Sequence, residues 1–171
     1  PSESVIVLPN NSNIIPAATQ AGDLSKKPLK VVPTTSIPQG IAALLSFSPE
    51  VSLEANLTIM ERDSNTVRSG GITRAVRSAT INGVLVREGQ LIGLLERQMV
   101  AAGDDPTSVL MDVLQRTEVS AGNLITLYWG CDITKEEAEK AGKGVQIVFP
   151  GVEVEVVYGG QPYYHYITSI E

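Results

Sequence analysis

Residues 5–8 read Val-Ile-Val-Leu and residues 29–32 read Leu-Lys-Val-Val, and each run leads through a polar loop into a helix-forming stretch. Strand-helix-strand alternation of this kind implies parallel strands, because the intervening helix carries the chain back to the same end of the sheet, almost always as a right-handed crossover. A continuous apolar run bounded by turn residues also fits a strand buried on both faces. Asn10-Asn11-Ser12-Asn13 stops the first run. A helix is predicted over residues 14–24, with Ser12 or Asn13 as N-cap and Pro16 tolerated in the first turn. After the second run come Thr34-Thr35-Ser36 and Gln39-Gly40, with a helix beginning at Ile41. A third helix is predicted over residues 52–68, where Leu53, Leu57 and Met60 recur at helical spacing behind Ser52. Two parallel strands make an incomplete sheet, so the missing strands are expected upstream of Pro1. A chain with no initiating Met is expected to have been cut from a longer one.

The pattern changes at Ser69-Gly70-Gly71. Residues 72–81 alternate in the β manner, Asn82-Gly83 is a two-residue hairpin signal, and strands are predicted at 84–86 and 91–95. A helix is predicted after Asp105-Pro106, with Val109, Leu110, Val113 and Leu114 on its apolar face. Residues 123–129 read as a core strand. Thr134 and Glu137 fit a capping box for a charged helix. Residues 152–157 alternate cleanly, putting Glu153 and Glu155 on one wet face, and a last strand is predicted over 163–170. The expected fold is α/β in two lobes. A partial Rossmann-like parallel layer occupies residues 1–68, and a mixed, mainly antiparallel sheet with helices on one face occupies 69–171.

The chain has 171 residues, enough to bury a core without disulfides or a structural metal. Its net charge of −6 disfavours nonspecific contact with nucleic acid. One cysteine, Cys131, excludes an intrachain disulfide framework and fits a reducing cytoplasm; a packed or half-buried thiol is the expected state. One Cys and one His cannot close a tetrahedral zinc site. No apolar run approaches the ~18 residues of a membrane helix.

Three polar clusters are candidates for binding. Asn10, Asn11, Ser12 and Asn13 follow the first strand; Thr34, Thr35, Ser36 and Gln39 follow the second. Ligands of open α/β sheets bind beyond the carboxyl ends of strands, and helix N-termini favour anions. The same residues are also good caps and turn formers. The third cluster is Gly159-Gly160-Gln161-Pro162 followed by Tyr163, Tyr164, His165 and Tyr166. Tyr164 and Tyr166 are expected on one strand face, where exposed tyrosines would suit a protein interface; a packed terminal strand is the other reading. Arg74 and Arg77 are expected on opposite faces of a strand, where one could anchor an acidic partner or a phosphate. No Ser-His-Asp order, metal-ligand run or Walker-type loop is evident.

Three stretches together carry a resemblance that goes further: residues 5–14 (VIVLPNNSNI), residues 31–45 (VVPTTSIPQGIAALL), and Gly159-Gly160-Gln161-Pro162-Tyr163 with the terminal residues 166–171. They resemble the dihydroxyacetone-kinase-like protein that serves as ATP-binding subunit of bacterial fatty acid kinase, an enzyme of lipid metabolism. The resemblance implies that ATP and magnesium belong to an upstream kinase domain, with no cofactor or metal in this region. It also implies a separate DegV-like fatty-acid-binding partner and a DegV-like fold. This region would then be a non-catalytic docking module, contacting that partner and the rest of its own chain, with a homodimer possible. The clustered metal-binding aspartates of the kinase domain are absent, and residues 94–111 match the family poorly. The alternative is a small-molecule or lipid-binding α/β domain with its site at the Thr/Ser loops.

Overall fold

The computed structural model describes residues 2–81 and 84–171. The chain divides into two compact units, Pro1–Arg68 and Ser69–Glu171.

In the first unit the elements are β1 (Val5–Val7), α1 (Ile15–Leu24), β2 (Leu29–Val31), α2 (Ile37–Leu45) and α3 (Leu53–Ser64). β1 and β2 pair in parallel, Val5 opposite Leu29 and Val7 opposite Val31. Local chemistry sets the helix starts. Ile14 occupies the N-cap of α1 with no side-chain cap, while Asn11 Oδ1 accepts from the Asn13 amide at 3.0 Å in the turn before it. α2 starts earlier than predicted because Ser36 caps it, its Oγ accepting from the Gln39 amide at 3.4 Å. α3 is shorter than predicted, ending at Ser64. Asn56, almost wholly buried, pins the α2–α3 loop: its Nδ2 donates to the Ser48 carbonyl at 2.8 Å and its Oδ1 accepts from the Ser48 amide at 2.9 Å. The fully buried core here is small, built on Val32, Ala43 and Met60 with Ile6, Leu8 and Leu57 packed against it. α1 contributes no fully buried residue.

The second unit holds β3 (Arg68–Arg74), β4 (Ala79–Ile81), β5 (Val84–Val86), β6 (Leu91–Leu95), β7 (Gln98–Gly103), α4 (Pro106–Gln115), β8 (Leu124–Trp129), α5 (Lys135–Val148), β9 (Glu153–Tyr158) and β10 (Tyr164–Ile170). Six strands form one sheet in the order β7-β6-β3-β10-β8-β9, and β4 pairs with β5 separately. β8 and β9 are parallel; the β3–β6, β6–β7 and β8–β10 pairs are antiparallel. The apolar faces of α4 and α5 pack on the sheet, with Leu110, Val113, Leu114, Ala138, Ala141, Val145, Ile125, Leu127 and Tyr166 all buried in one cluster.

Several expectations are corrected. The helix predicted to run up to the glycines ends earlier, at Ser64, and Gly70 and Gly71 lie inside β3; a Cβ on Gly70 would stand 2.7 Å from Thr168 Cγ2, so the absent side chain permits close packing. β7 was not predicted. Its hairpin with β6 turns through Glu96 (φ 46°) and Arg97 (φ 68°), a left-handed pair without the Asn or Gly that announces such turns. Arg77 lies beyond the end of β3, so strand parity does not place it opposite Arg74, and both are exposed. The predicted Asn82-Gly83 turn falls outside the described residues. Cys131 is exposed rather than packed or half-buried. No helix among the described residues is long and apolar enough to cross a membrane.

Candidate functional site

In the first unit the two polar loops converge because parallel β1 and β2 end side by side. Asn10 sits with φ 55°, a left-handed conformation that Asn tolerates. Its amide donates to Thr34 Oγ1 at 3.1 Å, and Thr34 Oγ1 donates back to Asn10 Oδ1 at 2.8 Å. Thr34 is fully buried. The Asn10 amide group lies where a Cβ on Gly40 would be, so α2 must carry glycine there to let the side chain approach. Gln39 Oε1 accepts from both the Thr35 amide (2.8 Å) and Thr35 Oγ1 (2.9 Å). The predicted residues of both loops are therefore brought together, and their polar atoms largely hold one another. Asn11 and Asn13 are exposed and Ser12 half-buried.

In the second unit the Gly159-Gly160-Gln161 turn wraps the end of β8. The amides of Gly159 and Gly160 donate to the Trp129 carbonyl at 3.0 and 3.2 Å. Gln161 Nε2 donates to the Tyr128 carbonyl at 2.8 Å, and its own carbonyl accepts from the Cys131 amide at 3.2 Å. Gly130 is pressed against the carbonyls of Tyr164 and Gln161, leaving no room for a Cβ. Thr73 Oγ1 donates to the carbonyl of Tyr163, a residue with φ 71°, at 2.7 Å.

These contacts reorder the aromatic cluster. Tyr166 is wholly buried in the core, so it presents nothing to a partner, and Tyr164 is only partly accessible. Burial pushes the Tyr166 phenol upward from its ordinary range. The exposed tyrosine is Tyr163, at 81%, accompanied by Tyr158 at 62%. Tyr158 packs on Trp129 with ring centroids 4.4 Å apart. His165 is 5% exposed, and its Nδ1 has no hydrogen-bond partner. Burial holds its imidazole below the usual histidine range; the Arg74 charge lowers it further and Asp132 opposes the shift. Arg74 itself donates from Nη1 to the Gly89 carbonyl at 3.0 Å. Thr73, Gly130 and Asp132 were not singled out from the sequence. Only Gly130, a glycine directly after a core strand, carried a signal that a close approach was needed there.

No group of three or more His, Cys, Asp or Glu residues among those described could hold a metal ion. Surface depressions among the described residues include two in the first unit. One, of about 780 Å³, lies between β1 and the α2–α3 pair; the other lies around Lys26 and Lys27. Neither is lined by Thr34, Thr35 or Ser36.

Residues 1–171 match the model of the FakA-like C-terminal family, whose members are described as C-terminal regions of fatty acid kinase subunits. An uncharacterized protein of Staphylococcus haemolyticus is 39% identical over 97% of this chain, and one of Staphylococcus aureus USA300 is 36% identical over the same share. The chain spans only 30% of the length of each. Solved structures give a consistent likeness of fold. A Corynebacterium glutamicum DegV family protein aligns with TM-score 0.67 and 12% identity, over 98% of this chain and 74% of that one. A Thermotoga maritima protein whose structure revealed fatty acid binding aligns with TM-score 0.66 and 13% identity, over 99% and 69%. The fatty acid kinase B3 protein of Streptococcus pneumoniae, solved with linoleic acid, aligns with TM-score 0.63 and 9% identity, over 99% and 72%. At such identities the likeness is one of fold, and it bears out the DegV-like architecture expected from the sequence. Matched from end to end by one family model, the chain belongs to the FakA-like C-terminal family of fatty acid kinase.

Proposed function

We propose that this region is a non-catalytic docking module of a fatty acid kinase subunit. It engages a DegV-like fatty-acid-binding protein and brings the acyl carboxylate to a kinase domain elsewhere in its own polypeptide. There, ATP and magnesium supply the chemistry: a carboxylate oxygen attacks the γ-phosphorus, ADP leaves and an acyl phosphate forms. Such a reaction gains most of its rate from positioning and electrostatics, which gives a module that only positions a purpose.

The family match supports the kinase assignment, and one structural observation supports the scaffold role. Polar side chains of the candidate loops are already spent on the fold: Thr34 on Asn10, Gln39 on Thr35, and Gln161 on the backbone around β8. Tyr163 and Tyr158, exposed on the second unit, are the aromatic side chains suited to anchoring a partner. A cytoplasmic location goes with this reading, since the substrate nucleotide is there.

The test is capture of the cognate fatty-acid-binding protein by the full-length subunit. Replacing both Tyr158 and Tyr163 with Ala should weaken binding at least about tenfold, as expected for loss of an aromatic anchor. Capture of the partner by the wild-type subunit no better than by a control protein would remove the docking role. ATP turnover by residues 1–171 alone would remove the non-catalytic one.

A further inference from the structure

β9 is an edge of the six-stranded sheet and pairs only with β8 among the described residues. The Glu153 amide donates to the Asn123 carbonyl at 2.9 Å, and the Gly159 amide to the Trp129 carbonyl at 3.0 Å. Backbone groups alternate in direction along a strand, so the amides and carbonyls of Val154 and Val156 point away from β8. A row of unpaired backbone groups is a template for another strand, and natural sheets blunt it with bulges, prolines or charges. Near the opposite edge, the β6–β7 register shifts between Gly93 and Leu94. β9 has neither proline nor bulge: Glu153–Tyr158 pairs in unbroken step with Leu124–Trp129. α5 covers one face of β9 so closely that a Cβ on Gly142 would stand 2.6 Å from Val156 Cγ2. The other face carries Glu153, Glu155 and Val157, all exposed.

Charge selects the occupant. Glu171 exchanges backbone hydrogen bonds with Leu124, whose register partner on β9 is Glu153, so a third carboxylate lies two strands away from the first two. Two copies pairing β9 with β9 about a two-fold axis would set carboxylates against each other. Centred on Glu155, that residue becomes its own neighbour; centred on Val156, Glu155 lies diagonal to its copy. A strand with basic side chains at alternate positions would place them opposite or diagonal to Glu153 and Glu155, where unlike charges attract. The glutamates therefore guard the edge against acidic strands and against a second copy, and leave it open to a basic one. Tyr158, exposed at the end of the same strand and stacked on Trp129, adds an aromatic anchor already held in place.

We propose that the free edge of β9 receives a β-strand of the fatty-acid-binding partner, one that carries basic side chains at alternate positions. The inference rests on the docking role proposed above and gives it a place and a mode. Backbone pairing with Val154 and Val156 supplies affinity, and Glu153 and Glu155 select the strand.

Hydrogen exchange of the full-length subunit, alone and saturated with its cognate fatty-acid-binding protein, tests it at single-residue resolution by electron-transfer fragmentation. The Val154 and Val156 amides should slow at least about tenfold when the partner is added, while the Ile125 and Leu127 amides stay unchanged. This result needs no variant. Replacing Glu153 and Glu155 together with Lys should raise the Kd at least about tenfold at low salt, and the difference should shrink as salt is added. Partner binding with the two amides exchanging as before, or equally tight binding by the charge-reversed variant, would overturn the inference and leave the docking role standing. No binding by the wild type would remove both. Slow exchange of these amides in the subunit alone would also overturn it, by showing that the edge is already covered; if that protection grew with protein concentration, the cover would be a second copy.

Discussion

His165 shows how one buried side chain links structure to solution behaviour. It is the only histidine, it is almost wholly buried, and its folded state favours the neutral imidazole. The unfolded chain binds a proton near pH 6.5 and the folded chain only at lower pH, so protonation in between favours unfolding. Stability is therefore full above that pH and falls as acid is added through it, by at most about 1.4 kcal/mol per pH unit, the limit for one proton. Asp63 and Glu137 are held below the ordinary carboxylate range, so their contributions are present above about pH 4 and are lost only below it. The urea midpoint should drop between pH 7 and pH 5 in the wild type and stay nearly flat in His165→Gln. An equal slope in the variant would show that another group titrates in that window. None of this was legible in the sequence, because a histidine between two tyrosines gives no hint of which of the three faces water. Tyr163, displaced by its left-handed backbone, took the exposed place expected for Tyr164 and Tyr166.

Elements were legible wherever local chemistry alone decides them. Thr134 caps α5 by accepting from the Glu137 amide at 3.3 Å, and Glu137 Oε2 accepts in return from the Thr134 amide at 2.8 Å. Asp105 caps α4 with a bond of 2.7 Å from the Ser108 amide, and Ser52 caps α3. All three starts follow from three or four residues of sequence. Replacing Thr134 with Ala takes the acceptor from the Glu137 amide at the helix start and should cost about 1 kcal/mol, seen as a lower thermal midpoint of the second unit. An unchanged midpoint would mean that water satisfies that amide as well as the Thr134 hydroxyl does. β7 and the in-strand glycines of β3 could not be anticipated in this way. The β6–β7 turn runs through Glu96 and Arg97, whose left-handed angles are imposed by the strands on either side, and Gly70 is small because of Thr168, almost a hundred residues away.

For the whole chain the two units differ in how much core they own. Among the described residues, the second has a core cluster of fifteen buried apolar residues, while the core cluster of the first has three, with a helix, α1, that contributes none. Apolar burial is the main favourable term in folding, so the two should not share one stability. In residues 1–171 alone, unfolding should proceed in two steps. The first unit should open at lower denaturant, and brief proteolysis should cut within residues 2–68 while the second unit survives. The alternation of strands and helices foretold the first unit's thin sheet, but its energetic consequence needed the structure, where Leu44 and Phe47 are seen half open to water. A single coincident transition by circular dichroism and Trp129 fluorescence in residues 1–171 would show instead that the first unit is already as stable as its neighbour, and that its exposed apolar trough costs it little.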